Sequence, residues 1–446
     1  MVMPACFSED DVTMGLLKIE YKGNLLQERP EVILPGSKSM AARALIINFI
    51  RGESQIPINL PDCDDTRELY AALSALSKSV ILEKVILENN SVRRFYKCKE
   101  GMKLSLNLGN GATSYRFFLS LVASIPGLEV KLDCGESLRR RPLSPLIDFL
   151  RKLGADIEYL GEEGYPPLCV KGANLSGGDI VMDGSVSSQF VSSLILSSEL
   201  WQKPCGRIEI LGDKVSYPYI EMTRRMISPR GAEMLKSIEA DWSAASYFYE
   251  YALVCPEIEV HVSNLTQPEE SVQGDARCAE IYSQLGVETE YLSDGSAIIR
   301  GDGKRISELR KSGKEVELSL GNLPDLVPSL VVGMAVAGIR FKIYGIGHLR
   351  HKESNRLLSL QEEIGRIGYR LTIDNESISW NGDCLPMENL PVIESHSDHR
   401  IVMAMAIAAS SLNGVGLIIR GAESVTKSFP GFFGEIAKLG FVNFEK

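Results

Sequence analysis

Four basic side chains occur in segments of the sequence that are otherwise apolar. Most of the 48 lysines and arginines are expected on a solvated surface, but four stand among alanine, leucine, isoleucine, phenylalanine and methionine: Lys38, Arg43, Arg116 and Arg400. A buried cation is costly unless it has an acidic partner or binds an anion. These positions therefore indicate internal ion pairs or a site for an anionic ligand.

A second cluster combines both signs of charge. Lys352, Glu353 and Arg356 lie within His348–Leu357 at a spacing that predicts one shared face at a helix start. The same spacing is equally typical of ion pairs on a solvated helix face. Spacing alone leaves these two interpretations open.

Asp325 follows Pro324 at a predicted helix start, where the macrodipole would keep the carboxylate ionised and usable as a base. Arginine binds carboxylate and phosphate bidentately, while lysine supplies a compact charge or a proton. Basic residues together with two carboxylates, Asp325 and Glu353, suit a small polyanion and proton transfer.

Other site chemistries have weak support. The nine cysteines are scattered singly from Cys6 to Cys384 without a CxxC pair, so we expect reduced thiols and no metal site. No GxxxxGK[ST] loop for nucleotide phosphates occurs. His399, in Asp398-His399-Arg400, has no nucleophile linked to it by spacing, which favours a structural or anion-orienting histidine. The net charge of -10 argues against a nucleic-acid partner.

Two features predict a cytoplasmic protein with no membrane partner. The apolar run Ile401–Leu412 is shorter than the ~18 residues that a membrane span requires. The segment Met1–Gly15 carries three acidic residues and lacks the pattern of a secretory signal or a transit peptide.

The sequence contains six copies of one pattern. Each copy opens with small or polar residues and continues into a mostly apolar segment that predicts a buried helix: Ser37–Ile50, Gly111–Ile125, Ser187–Leu200, Asp241–Val254, Pro324–Ala337 and Asp398–Leu412. An amphipathic helix and two short strands follow, as in Leu143–Gly172, with C-terminal glycines at Gly154, Gly286 and Gly368. The copy that begins at Ser187 is shorter by about one strand hairpin.

Six copies predict a layered α/β protein of two domains, each with three buried helices and threefold pseudosymmetry. We expect one domain to comprise residues 1–36 and 241–446, and the other, inserted domain to comprise residues 37–240. Buried helices that begin at a shared cleft would direct their N-terminal dipoles at it and attract anions.

A series of motifs resembles one family. They are Leu34–Ala44 (LPGSKSMAARA), Leu108–Arg116 (LGNGATSYR), Arg141-Pro142, Gly184–Phe190 (GSVSSQF), Ser216–Ile220 (SYPYI), Asp241–Phe248, Pro324-Asp325, Arg350–Leu357 (RHKESNRL), Ser397–Met403 and Thr426–Pro430 (TKSFP). In this order they resemble the 5-enolpyruvylshikimate-3-phosphate (EPSP) synthase family of enolpyruvyl transferases. The resemblance implies an inside-out α/β barrel fold in two domains, built from six β-α-β-α-β-β units. It also implies transfer of the enolpyruvyl group of phosphoenolpyruvate to the 5-hydroxyl of shikimate 3-phosphate, a step of the shikimate pathway to chorismate.

The resemblance also implies roles for individual residues. Shikimate 3-phosphate would contact Lys38, Ser39, Arg43, Ser187, Ser188, Gln189, Ser216, Asp325, His348 and Lys352. Phosphoenolpyruvate would contact Lys38, Asn110, Ala112, Arg141, Gln189, Arg356, Arg400 and Lys427. The catalytic residues would be Asp325 as base and Glu353 as proton donor, with Lys352 and Lys38. No metal or organic cofactor is implied, and we expect a monomer.

Two positions depart from the family pattern. His348 stands where family members often carry asparagine, which leaves that substrate contact open. The usual Asn-Ala-Gly-Thr is here Asn110-Gly111-Ala112-Thr113, so a methyl group occupies the position where glycine lets the backbone approach phosphoenolpyruvate. Because the herbicide glyphosate inhibits the family by occupying that space, reduced glyphosate sensitivity is predicted.

Two other functions compete with this interpretation. The sister transferase that acts on UDP-N-acetylglucosamine typically carries a reactive cysteine before an Arg-Pro pair, and Cys134 matches that position poorly. The shortened copy leaves open an inactive paralogue that binds a phosphorylated ligand.

Overall fold

A computed structural model describes residues 15–23, 30–86, 92–183, 187–203, 205–212 and 215–445. Most of the acidic N-terminal segment and Gly184 to Val186 of the Gly184–Phe190 motif lie outside these residues. The described residues divide into two compact units, Met1–Pro35 with Ala240–Lys446 (unit 1) and Gly36–Glu239 (unit 2). These boundaries lie one residue from those expected from the repeats.

The strands are short. In chain order they are β1 Leu16–Tyr21, β2 Glu31–Val32, β3 Val80–Ile86, β4 Val92–Cys98, β5 Lys103–Asn107, β6 Glu129–Asp133, β7 Asp156–Tyr159, β8 Leu168–Lys171, β9 Ile180–Asp183, β10 Ile208–Leu211, β11 Val260–Val262, β12 Val287–Tyr291, β13 Ala297–Gly301, β14 Val316–Ser319, β15 Phe341–Tyr344, β16 Thr372–Ile373, β17 Ser377–Trp380, β18 Val392–Glu394, β19 Leu417–Arg420 and β20 Phe441–Glu445.

The helices are α1 Lys38–Arg51, α2 Asp64–Ser79, α3 Ala112–Ala123, α4 Glu136–Arg139, α5 Ser144–Lys152, α6 Ser188–Ser197, α7 Tyr217–Ile227, α8 Trp242–Val254, α9 Cys278–Gln284, α10 Gly303–Ser312, α11 Val327–Val336, α12 Arg356–Arg366, α13 His399–Ala408 and α14 Phe432–Ala437. Gly154, Gly286 and Gly368 follow α5, α9 and α12 with φ of 109°, 93° and 101°, the left-handed conformation expected after a helix end.

Unit 1 contains three four-stranded sheets with one common topology. Their orders are β2-β11-β13-β12, β14-β15-β17-β16 and β18-β19-β1-β20. In each sheet the first two strands are parallel and flank a buried helix, and an antiparallel hairpin completes the sheet. In the third sheet β1 occupies the position that β13 and β17 have in the other two sheets, because it pairs with both β19 and β20. The predicted repeat is therefore complete in this unit.

The core of unit 1 consists of α8, α11 and α13, which contact one another. Every residue of α13 is buried, as are all residues of α8 except Val254 and all of α11 except Val336. Helices that are apolar on all sides must be enclosed, and the sheets and amphipathic helices enclose them here. The unit is thus a layered α/β structure with its apolar helices inside, as the sequence predicts.

Unit 2 repeats this plan with α1, α3 and α6 as its buried, mutually contacting helices. Among the described residues of unit 2, only the copy around α3 has the full sheet, β5-β6-β8-β7, while β9-β10 and β3-β4 are two-stranded pairs. In the shortened copy, two 3-10 turns follow α7, and the described residues from Ser228 to Glu239 contain no hairpin. The predicted truncation is therefore real.

Two local predictions are wrong. The segment that begins at Pro324 becomes helical only at Val327, because Pro328 occupies the first turn, so Asp325 lies in the preceding turn. Lys352 and Glu353 do not share a helix face with Arg356, because α12 begins at Arg356 itself.

None of the described helices has the length and apolar character needed to cross a bilayer.

Glu250 of α8 is an unusual residue of this core. Its side chain is fully buried, and neither carboxyl oxygen has a hydrogen-bond partner among the described residues. Burial raises the pKa of Glu250 well above its ordinary value of 4.5. The folded state therefore binds a proton that the unfolded state releases above that pH.

We predict that Glu250→Gln stabilises the protein increasingly as the pH rises. Because the folded-state pKa is raised, Glu250 costs stability above pH 4.5, by about 1.4 kcal/mol per pH unit up to the folded-state pKa. The free energy of unfolding, from urea titrations at pH 5 and pH 8, should favour the variant most at pH 8.

Glu363 provides the matched control. It is equally buried, but its carboxylate accepts hydrogen bonds from Arg366 Nε at 3.0 Å and from the backbone N of Glu394 at 2.9 Å. Glu363→Gln should therefore destabilise the protein by about 1–3 kcal/mol. Equal effects of the two substitutions at both pH values would contradict the assignment for Glu250.

Candidate active site

In unit 1 the turn before α11 and the first turn of α13 bring Asp325 and Arg400 together. Arg400 Nη2 donates to Asp325 Oδ2 at 2.8 Å, and Arg356 Nη1 donates to Asp325 Oδ1 at 3.3 Å. Both arginines are buried, with 7% and 1% of their surfaces exposed. The Asp325 carboxylate thus lies between two guanidinium groups.

Arg356 is the centre of this ion cluster. Its Nε donates to Asp398 Oδ2 at 2.9 Å and its Nη2 to Glu353 Oε2 at 2.8 Å, so that one guanidinium contacts three carboxylates. Asp398 is completely buried and also caps α13, accepting a hydrogen bond from the backbone N of Arg400 at 3.0 Å. The pairing of Arg356 with Asp398 therefore fixes α12 against α13.

Three further predicted residues border the cluster. Lys427, at the end of the 3-10 turn Ala422–Lys427, places Nζ 3.7 Å from Glu353 Oε1. Lys352 interacts electrostatically with both Asp325 and His348. Burial, assisted by Lys352, lowers the pKa of His348 to about 3, so the imidazole is neutral at physiological pH. Unit 1 thus brings all seven of its predicted site residues into one cluster.

The charge state of Asp325 follows from its neighbours. Burial alone would raise its pKa, but Arg400, Lys352 and Arg356 outweigh burial and the nearby Glu353, and they hold the pKa well below its usual range. A carboxylate held this firmly is a weak base until an anion competes for its cations.

In unit 2 the first turns of the buried helices carry the predicted ligand-binding side chains. The incompletely buried residues of these turns are Lys38 and Ser39 in α1, Thr113 in α3 and Gln189 in α6. Polar side chains are therefore accessible at the helix starts, where backbone N–H groups attract anions.

Lys38 pairs with Asp65, the second residue of α2, at 2.9 Å between Nζ and Oδ2. The backbone around Gly111 passes close to this carboxylate, since a Cβ at Gly111 would lie 3.0 Å from Asp65 Oδ1. Glycine at position 111 leaves room for the Asp65 carboxylate, and the next residue, Ala112, is the first residue of α3. The reversed order of these two residues is thus compatible with the ion pair.

Arg43 is enclosed by protein acceptors. Its guanidinium donates to Thr223 Oγ1 at 2.7 Å, to the backbone O of Ser39 at 2.7 Å and to the backbone O of Tyr219 at 3.0 Å. Burial lowers the pKa of Arg43 to about 10, so it stays charged at neutral pH. Its bond to Tyr219 holds the first turn of α7, which Ser216 precedes with a φ of 54°.

The remaining predicted residues of unit 2 lie at chain turns. Ser187 caps α6 by accepting a hydrogen bond from the backbone N of Gln189 at 3.3 Å, and Ser188 is buried beside it. Arg141 is buried in the turn after α4. Asn110 is exposed, and its Oδ1 accepts from Ser137 Oγ at 2.8 Å.

Sequence reasoning missed two carboxylates. Asp65 and Asp398 anchor Lys38 and Arg356, but each lies at the start of a different helix from its partner, so spacing carries no signal of the contact. The only available signal was the cost of a buried cation, which requires an acidic partner somewhere.

Two other chemistries find little support here. Cys134 is buried, and burial raises the pKa of its thiol to about 12, which disfavours the activated nucleophile of the sister transferase. Glu362, Glu363 and His396 could place ligand atoms within 4.8 Å of one another, and among the described residues they form the one such group. However, Glu363 is already engaged by Arg366 and by His396, which indicates a structural role.

We predict that Asp398→Asn lowers the free energy of unfolding by roughly 3 kcal/mol, because it removes the charge facing a buried arginine while keeping a capping side chain. Asp302→Asn is the matched control, since Asp302 caps α10 at an exposed position by accepting from the backbone N of Lys304. The control should change stability by less than about 0.5 kcal/mol. Urea titration of both variants checks this, and equal losses would contradict a special role for the buried pair.

Comparison with known proteins agrees with this geometry. The family model described as EPSP synthase (3-phosphoshikimate 1-carboxyvinyltransferase) matches residues 27–237 and 230–436. A protein named 3-phosphoshikimate 1-carboxyvinyltransferase from Bacteroides fragilis is 33% identical over 437 residues, covering 93% of this chain and 96% of the relative. A protein of the same name from Pasteurella multocida is 30% identical and covers 92% of this chain and 95% of the relative.

Solved structures share the fold. The EPSP synthase of Acinetobacter baumannii matches with a TM-score of 0.65 at 20% identity, covering 96% of this chain and all of that chain. This likeness supports the two-domain α/β architecture independently of close sequence similarity. With the family model covering both units and relatives matching almost end to end, the chain belongs to the EPSP synthase (3-phosphoshikimate 1-carboxyvinyltransferase) family.

Proposed function

We propose that the protein transfers the enolpyruvyl group of phosphoenolpyruvate to the 5-hydroxyl of shikimate 3-phosphate and releases inorganic phosphate, in the shikimate pathway to chorismate. One observation carries the proposal at the site: the Asp325 side chain lies between Arg356 and Arg400, with Glu353 and Lys427 beside it. A polyanionic substrate and a proton transfer both require such groups.

Arg356, Arg400 and Lys427 bind the carboxylate and phosphate of phosphoenolpyruvate. The family resemblance implies further contacts with Arg141, Gln189 and Lys38. Guanidinium groups suit these planar and tetrahedral anions because they donate in pairs. Shikimate 3-phosphate is held by Ser187, Ser188, Ser216 and the other residues that the family resemblance implies, with His348 as a neutral contact.

Substrate binding also prepares the base. An anion that takes donors from Arg400 and Arg356 weakens their hold on Asp325, so the pKa of Asp325 rises toward that of a usable base. Asp325 then accepts the proton of the attacking hydroxyl. Glu353, with Lys352, delivers a proton to the methylene carbon, which gives a tetrahedral intermediate. Glu353, now deprotonated, takes a proton back from the new methyl group while the carbon–oxygen bond to phosphate breaks, which releases inorganic phosphate and forms the enolpyruvyl ether.

The proposal includes no metal or organic cofactor, because the cations of the chain supply the electrostatic stabilisation. A cytoplasmic, monomeric enzyme is part of the same proposal.

Phosphate release from the two substrates tests the proposal directly. Asp325→Asn should lower kcat by about 100-fold or more, because it removes the base while preserving shape. Asp302→Asn, at an exposed helix cap, should leave kcat unchanged. If the unmodified protein released no phosphate, the inactive-paralogue alternative would replace this proposal.

We further expect reduced glyphosate sensitivity. Ala112 is buried at the first residue of α3, with 5% of its surface exposed, and its methyl group narrows the space beside the helix start. Ala112→Gly should increase inhibition by glyphosate at least about tenfold, whereas Ala123→Gly, at the other end of α3, should not. Equal inhibition of the unmodified protein and the Ala112→Gly variant would contradict this role of the methyl group.

A further inference from the structure

Arg116 of α3 is a buried arginine directed at another predicted ligand-binding residue. Its Nη1 donates to Gln189 Oε1 at 2.5 Å and to Ser187 Oγ at 3.1 Å. The guanidinium also lies over the ring of Phe190, 4.6 Å from the ring centre. Only 3% of the Arg116 surface is exposed, so the side chain is fixed from several sides.

This contact determines how the amide of Gln189 is oriented. A guanidinium can only donate hydrogen bonds, whereas a glutamine amide has one accepting oxygen and one donating NH₂ group. The oxygen must therefore face Arg116, and the NH₂ group points away from it. Gln189 is also the one residue of α6 that is not buried, so these donors are accessible at the helix start.

We propose that Arg116 is a positioning residue that locks the Gln189 amide with its NH₂ group toward the substrate, so that Gln189 donates to an anionic oxygen. The inference rests on the proposed function and adds a residue to its binding machinery. Arg116 acts through Gln189, and its own charge is engaged by Gln189, Ser187 and the Phe190 ring.

The physical benefit is preorganisation. A free glutamine amide presents its oxygen or its NH₂ group with similar ease, and the oxygen would repel a carboxylate or phosphate. Fixing the orientation before binding removes the entropy cost and the unfavourable orientation together. Ser187 takes part as well, because its Oγ accepts from Arg116 while also capping α6.

A double-mutant cycle tests the proposal. Arg116→Met, Gln189→Met and the double variant are compared with the unmodified protein by the KM for phosphoenolpyruvate and by kcat. We expect each single variant to raise the KM for phosphoenolpyruvate by a similar factor, of about tenfold. The KM of the double variant should be no higher than that of Gln189→Met. Single effects that multiply in the double variant, or an unchanged KM for Arg116→Met, would overturn the proposal.

Gln189→Glu is an independent variant that serves even if Arg116→Met fails to fold. A glutamate carboxylate pairs with Arg116 but offers no hydrogen-bond donor. The urea midpoint of unfolding should therefore stay the same or rise, while the KM for phosphoenolpyruvate increases at least about tenfold. A KM within about twofold of the unmodified protein would overturn the proposal. Arg207→Met is the control for loss of an arginine in unit 2, because Arg207 is exposed and paired only at the surface with Glu209.

The outcomes separate the inference from the proposed function. If the unmodified protein releases no phosphate from the two substrates, the proposed function fails. If it is active and the cycle is additive, the function stands and only the role of Arg116 is rejected.

Discussion

The pairing of buried Arg356 with Asp398 is the constraint on which the site of unit 1 depends. A guanidinium removed from water needs acceptors, and Arg356 finds them in three carboxylates, so the ends of three chain segments meet at this side chain. Asp398 begins α13, Glu353 precedes α12, and Asp325 precedes α11. The ion cluster therefore fixes the helix starts and, with them, the positions of Asp325 and Arg400.

The repeated architecture makes this convergence possible. Each copy encloses one mostly apolar helix behind a sheet and an amphipathic helix, and in unit 1 Asp325 and Arg400 lie at the starts of two of these helices. Unit 2 uses the same device with Lys38, Ser39 and Gln189. Within unit 2, Asp65 pairs with Lys38 and Arg116 donates to Gln189, just as Asp398 pairs with Arg356 in unit 1. If the proposed function holds, substrate recognition and folding depend on the same buried charges.

Much of this could be predicted from the sequence. The apolar runs located the buried helices because such runs can only be enclosed, and the short interval after Ser187 indicated the missing hairpin. The start of α11 and the loop position of Lys352 and Glu353 were not predicted, because local spacing does not reveal which proline or cap ends the turn. Asp65 was missed for a different reason: its contact with Lys38 joins two helices and leaves no periodic signal.

The central claim is that the cations of unit 1 hold Asp325 ionised in the ligand-free protein. Infrared difference spectroscopy with isotope-labelled aspartate, using Asp325→Asn to assign the band, measures the protonation of this carboxyl as the pH falls. The account predicts that the carboxylate band persists below the ordinary aspartate pKa of 3.8 for as long as the protein stays folded. A carboxyl that becomes protonated at or above that value would contradict the claim.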